Sequence, residues 1–161
     1  MMRITDIIRN IMDRILGIVC ASLFGVMTIV GTYQIVVRYF FNKPSTVSEE
    51  LLTYSFAWMA LFAASYVFGK RGHMKMTFLV DKFPDKVRHM WEIILELLIL
   101  VFSAVVLVYG GINIMRLTMS QVTASLGIPM GMVYSVLPVS GILTIIYCVL
   151  NIISLSEKKE V

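Results

Sequence analysis

Four long stretches without a charged residue constrain this chain more than any other feature of its sequence. They cover residues 15–37, 51–69, 97–115 and 117–156, and Pro129 divides the last one so that 130–155 remains as its main apolar part. An α-helix needs about 20 apolar residues to cross the hydrocarbon core of a bilayer. The sequence therefore predicts an all-α integral membrane protein with four transmembrane helices.

These stretches and their flanks predict a single membrane domain over residues 1–161. We expect an amphipathic N-terminal segment at 1–14, helix 1 at 15–41, helix 2 at 46–69, an interfacial segment at 74–83, helix 3 at 85–118 and helix 4 at 129–155. The isoleucines of the first segment follow the spacing of one apolar helix face, and the spacing recurs within 76–83. Both segments are expected to lie along the cytoplasmic membrane surface. The alternative is that they are frayed ends of helices 1 and 3.

Basic residues are divided unevenly between the two sides of the predicted bundle. Eleven of the fourteen lie in the N-terminal segment, the loop between helices 2 and 3 and the C-terminus, whereas Arg38, Lys43 and Arg116 lie on the other side. An excess of Lys and Arg is typical of cytoplasmic loops. We therefore expect a multi-pass protein whose two termini are cytoplasmic, with residues 42–48 and 118–128 facing the periplasm or exterior.

The composition argues against an enzyme. Charged residues make up only 15% of the chain, both cysteines lie inside apolar stretches, and the two histidines, His73 and His89, lie in or beside the cytoplasmic loop. The sequence has no catalytic, nucleotide-binding or metal-ligand motif, so we expect no catalytic residue, metal or cofactor. The net charge of +4 is attributed to cytoplasmic loops rather than to nucleic-acid binding.

Ionisable residues inside a membrane usually mark an ion or proton pathway. The middle of each stretch contains none, and Glu96 is the deepest acid on the cytoplasmic side. Transport by this chain alone is therefore poorly supported, and we expect no substrate site in it.

Small residues spaced four apart predict where helices approach one another closely in a membrane. Pro138 lacks a backbone donor and is expected to kink helix 4. The predicted helix-packing residues are Gly17, Ala21 and Gly25 in helix 1, Ala60 and Ala64 in helix 2, and Gly131 and Ser135 in helix 4.

A short turn joins helix 1 to helix 2, with Arg38 before it and Glu49 and Glu50 after it. Residues 46–49 fit a capping box with Thr46 as the cap. One interpretation is a capped hairpin with an Arg–Glu pair, and the other is that one acid contacts a basic group on a partner protein. The candidate partner-interface residues are Arg38, Glu49 and Glu50 here, Arg71 and His73 after helix 2, and Gly127, Pro129, Tyr134 and Pro138 around the start of helix 4.

The order of four motifs resembles the DctQ-like small membrane subunit of TRAP (tripartite ATP-independent periplasmic) transporters. The motifs lie at residues 38–42 (RYFFN), 48–51 (SEEL), 69–73 (GKRGH) and 126–129 (LGIP), the last followed by Gly131, Tyr134 and Pro138. The resemblance covers nearly the whole chain.

The resemblance implies a small scaffold subunit in a bacterial inner membrane. It implies a large membrane subunit that holds the substrate and sodium sites, and a periplasmic binding protein that delivers an organic acid. Membrane lipid is the remaining expected partner. Two alternatives stay open: a self-sufficient homodimeric transporter that uses Glu49, Glu50 or Glu96, and a membrane anchor of a redox complex.

Overall fold

A computed structural model describes residues 2–70 and 85–157 of the chain. The predicted interfacial segment at 74–83, together with Arg71 and His73, lies outside these residues. Four helical spans are long and apolar enough to cross a membrane, at Thr5–Phe40, Thr46–Gly69, Met90–Leu117 and Met130–Leu155. The prediction of an all-α protein with four transmembrane helices is confirmed.

The first span belongs to a single helix, α1 (Met2–Phe40), which is followed after a short turn by α2 (Thr46–Gly69). The structure has no boundary between an N-terminal segment and helix 1, where the sequence suggested one near Arg14. The physical reason is that residues 2–16 contain neither glycine nor proline, so nothing interrupts the helical hydrogen bonds there.

The third span changes its winding partway along. It begins as α3 (Asp85–Phe102), continues as an eight-residue π-helix (Ser103–Gly110), and ends as α4 (Gly111–Leu117). In a π-helix each N–H bonds five residues back instead of four, which is rare in proteins and usually short. The buried Ser103 hydroxyl at its start has no hydrogen-bond partner among the described residues.

The fourth span is divided into α5 (Met130–Tyr134) and α6 (Val136–Glu157), with Ser135 between them. The predicted helix 4 at 129–155 is therefore not one uninterrupted helix. Pro138 has no N–H to donate to the carbonyl of Tyr134, so the regular pattern fails one turn before the proline. The helix is interrupted at Ser135, one turn before Pro138, and the kink expected at Pro138 stays a prediction.

The α6 helix is the central element of the bundle. Half of the residues in the fourth span are buried, against about a tenth or fewer in the other three. Span 2 packs on one side of α6 and span 3 on another, whereas α1 packs mainly on α2. The buried apolar core is formed by Leu16, Phe62, Val136 and Tyr147.

This packing gives the bundle two distinct ends. The hairpin end holds the turn at 41–45 and the segment 118–129. At the terminal end α1 and α3 begin while α2 and α6 end.

Candidate functional site

The Glu50 carboxylate is the hub of the hairpin end. One of its oxygens, Oε2, accepts hydrogen bonds from the backbone N–H groups of Ser125 and Leu126, each at 2.8 Å. Its other oxygen accepts from the Tyr54 hydroxyl, also at 2.8 Å. We call Glu50, Tyr54 and these two amides the hairpin clamp. Because bonds to an ionised group are stronger than neutral ones, the clamp fixes the segment 118–129 to the first turn of α2.

The clamped segment is itself closely folded. The backbone N–H of Thr123 donates to the carbonyl of Ile128 at 2.9 Å, and the Ile128 N–H donates to the Thr123 hydroxyl at 3.1 Å. Gly127, at φ +68°, makes the reversal between them. A residue with a side chain is strained in this conformation, so glycine is needed there.

The start of α2 differs in detail from the predicted capping box. The helix is capped by Ser45, whose side chain accepts from the Ser48 N–H at 3.3 Å, rather than by Thr46. The Ser45 and Ser48 hydroxyls also lie 2.9 Å apart, which gives both a partner. Serine and threonine are both favoured N-cap residues and stand side by side here, so the sequence-based capping box was one residue out of register.

The other candidate interface residues of the hairpin end differ in how far they are exposed. Arg38 and Glu49 are exposed, and Glu50 has the partners given above instead of Arg38. Pro129 and Tyr134 are half-buried, while Pro138 is buried against Gly111. The predicted Arg–Glu pair is therefore wrong for Glu50, whose carboxylate is bound within its own chain.

A second polar cluster closes the terminal end and joins all four spans. The Arg9 guanidinium donates to the side-chain oxygen of Asn151, and the Asn151 amide donates to Glu96 at 2.9 Å. Nearby, the Tyr147 hydroxyl donates to Asp13 at 2.6 Å. We call these five residues the terminal clamp.

Three of the five terminal-clamp residues are buried in the interior of the bundle, and Arg9 and Asp13 are half-buried. Glu96 is only 5% exposed, Asn151 1% and Tyr147 0%. The Asn151 amide also lies 3.5 Å from the carbonyl of Phe68, which brings the end of α2 into the cluster. A Cβ added to Gly69 would come within 2.4 Å of the Tyr147 ring, so the glycine lets α2 approach α6 here.

Sequence reasoning missed the terminal clamp. Glu96 was noted as the deepest acid, but Arg9 and Asp13 were assigned to a segment on the membrane surface. Asn151 was not singled out, although it is the one amide side chain within residues 130–155. The signal that could have revealed the terminal clamp is an amide in one span at the same level as a carboxylate in a neighbouring span.

Polar contacts also run along the contact between span 2 and span 4. Trp58 donates to the carbonyl of Val133 at 3.0 Å, and Ser65 donates to that of Ser140 at 3.1 Å. Thr144 in turn donates to the Ser65 hydroxyl at 3.0 Å. These interhelical bonds hold the fourth span against the second, since lipid supplies no hydrophobic drive for helices to associate.

The predicted helix-packing residues divide into two groups. Gly131 lies against the Met115 carbonyl, where a Cβ would come within 2.5 Å, and Ser135 bonds the Met132 carbonyl within its own span. Within residues 2–70 and 85–157 the others do not mark a tight contact: Gly17 and Gly25 have open space beside them, Ala21 and Ala60 are exposed, and Ala64 is half-buried.

Comparison with known proteins identifies the family. The family profile described as "Tripartite ATP-independent periplasmic transporters, DctQ component" matches residues 27–158. The chain belongs to the DctQ family. The resemblance found in the four motifs is thereby confirmed, and DctQ-family relatives are components of transporters rather than enzymes.

Three relatives show how far the similarity extends. A Haemophilus influenzae protein provisionally named a TRAP transporter small permease is 26% identical over 145 residues, which are 90% of this DctQ-family chain and 89% of the relative. The sialic acid TRAP transporter small permease protein SiaQ of Vibrio cholerae is 31% identical over 84% of this chain and 78% of its own length. The sialic acid TRAP transporter permease protein SiaT of Haemophilus influenzae is 27% identical over 79% of this chain, but that match covers only 20% of SiaT.

Proposed function

We propose that this chain is the small scaffold subunit of a sodium-driven TRAP transporter that imports an organic acid. The observation that carries the proposal is the match to SiaT, in which the region similar to this chain occupies about a fifth of one permease polypeptide. Two parts joined in one relative are expected to associate when they are separate chains. The remaining four-fifths of SiaT indicates the class of partner, a large membrane permease subunit.

The contacts inside the bundle support a scaffold role. The carboxylates of both clamps already accept hydrogen bonds from groups of the same chain. A transport site instead needs polar groups that are available to a substrate or an ion. The substrate and sodium sites are therefore proposed for the large subunit, and delivery of the organic acid for a periplasmic binding protein.

We further propose that the chain lies in the bacterial inner membrane with its terminal end towards the cytoplasm. The uneven distribution of basic residues supports this orientation. Reporter fusions test it: a periplasmic reporter is expected to be active within the turn at 42–48 and inactive after residue 157.

Reconstitution tests the scaffold role itself. The chain would be tagged and co-expressed with a large TRAP subunit and its binding protein, then purified and placed in liposomes with a sodium gradient. We expect co-purification of the two membrane subunits, uptake of the organic acid by the full set, and no uptake by this chain alone. Uptake by the isolated chain would contradict the proposal and favour the homodimeric transporter.

A further inference from the structure

The start of α1 has its polar and apolar faces reversed relative to a helix on a water-soluble protein. Leu16 is buried in the core, and Arg9 and Asp13, on the same side of the helix, reach into the terminal clamp. Facing away from the bundle, Ile7, Ile11 and Ile15 are 56%, 53% and 55% exposed. A helix surrounded by water turns its apolar face inward.

The same reversal occurs on the other helices that contribute to the terminal clamp. On α3, Trp91 and Ile94 precede Glu96 and are 51% and 43% exposed, while Glu96 points inward. On α6, Ile153 lies beyond Asn151 and is 36% exposed. The cluster of charges is thus ringed on three helices by outward-facing apolar side chains.

We infer that acyl chains of the adjoining lipid leaflet surround the terminal clamp, so that its charges lie inside the membrane. The lipid boundary then lies near Ile7 and Trp91 instead of near residues 15 and 97, where the charge-free stretches begin. Counted along the helices at about 1.5 Å per residue, this moves the boundary outward by about 9 Å on the third span and about 12 Å on the first.

Lipid is the occupant that fits this surface. The exposed isoleucines continue along α1 to Ile18, at 61% exposure, with the exposed Arg14 between Ile11 and Ile18. A hollow of about 300 Å³ on this face is lined by Ile7, Asn10, Ile11, Arg14 and Ile15, which is an apolar wall beside one cation. The long stem of Arg14 can lie along the acyl region while its guanidinium reaches the phosphate level. Tryptophan, here Trp91, is enriched at the membrane–water interface.

The inference also explains why the clamp residues are joined to one another. Ionisable groups at membrane depth pair with other polar groups because lipid offers no hydrogen bonds. Arg9, Asn151 and Glu96 form such a chain, and Asp13 is bonded to Tyr147. The middle of the bundle carries no charge, as the sequence predicted, but its terminal end encloses charge within the lipid-covered part.

Spin-label accessibility tests the inference directly. Nitroxides would be placed singly at Ile7 and Ile11 in a C20A/C148A background, with the protein in liposomes together with any large subunit that co-purifies. Ile29, 72% exposed in the middle of α1, is the lipid control, and Lys43, exposed in the turn, is the water control. We expect oxygen accessibility to exceed that of a water-soluble nickel complex at Ile7 and Ile11, as at Ile29.

Two outcomes would overturn the inference. Nickel accessibility above that of oxygen at Ile7 and Ile11, as at Lys43, would place this face in water. Low accessibility to both reagents would show that protein covers it. A second measurement uses Trp91 alone, in a W58F background, with lipids brominated at different depths: the inference expects strongest quenching from bromines nearest the headgroups, and an absence of quenching would contradict it.

Discussion

The two ends of the bundle each hold a carboxylate, and they hold it in different ways. At the hairpin end Glu50 accepts from two backbone amides and one hydroxyl, so its donors come mainly from the main chain. At the terminal end Glu96 and Asp13 depend on the side chains of Asn151 and Tyr147. Backbone donors persist whatever residue occupies the loop, whereas a side-chain network fails when one member is replaced. The terminal end is therefore expected to be the more sensitive of the two.

Replacing Asn151 by alanine is expected to have the largest effect. Asn151 joins Arg9 to Glu96, and breaking a buried charge network costs about 3 kcal/mol or more. The measurement is the free energy of unfolding in mixed micelles by denaturing-detergent titration. N10A, an exposed asparagine on α1, is the matched control and is expected to change little. Equal effects of N151A and N10A would show that the network does not stabilise the terminal end.

Replacing Gly69 by alanine tests the packing on which the terminal clamp rests. The added Cβ would overlap the Tyr147 ring, and overpacking of this kind costs about 2 kcal/mol. G25A is the matched control because nothing lies within 4 Å of that position. We expect G25A to be neutral or slightly stabilising, since alanine favours helices more than glycine does. A G69A variant as stable as G25A would contradict the close approach of α2 to α6.

At the hairpin end, E50Q is expected to cost about 1.5 kcal/mol, because an amide cannot replace both acceptor oxygens of the carboxylate. Hydrogen exchange at the Ser125 and Leu126 amides should become faster, since Glu50 is their acceptor. E49Q, one residue earlier and exposed, is the control and should leave both amides unchanged. Unchanged hydrogen exchange in E50Q would show that Glu50 does not hold the segment 118–129. A contact between Glu50 and a partner protein would then be the remaining interpretation.

The smallest expected effect is that of S45A at the start of α2. Loss of an N-cap side chain costs about 1 kcal/mol, and Ser45 accepts from the Ser48 N–H. T46A distinguishes this cap from the capping box suggested by the sequence. If the capping box formed, Thr46 would be the sensitive position instead of Ser45. A greater loss of unfolding free energy in T46A than in S45A would restore the sequence-based interpretation.

The four spans could be predicted from the sequence because hydropathy over about 20 residues is a local property. Which faces meet is not local. The small residues Gly17 and Gly25 predicted a close contact that is not found among the described residues, while Gly69, which the spacing did not single out, lies against a neighbouring helix. The terminal clamp was missed for the same reason: Arg9 and Asn151 are 142 positions apart, and only the packing of α1 near the end of α6 brings them together.

The π-helix at Ser103–Gly110 has a consequence for the directions in which the side chains of the third span point. Each widened turn accommodates one residue more than regular winding would, so side chains before and after it do not follow a single 100° progression. The spacing counted along the sequence from α3 therefore does not give the face of the span on which an α4 residue lies.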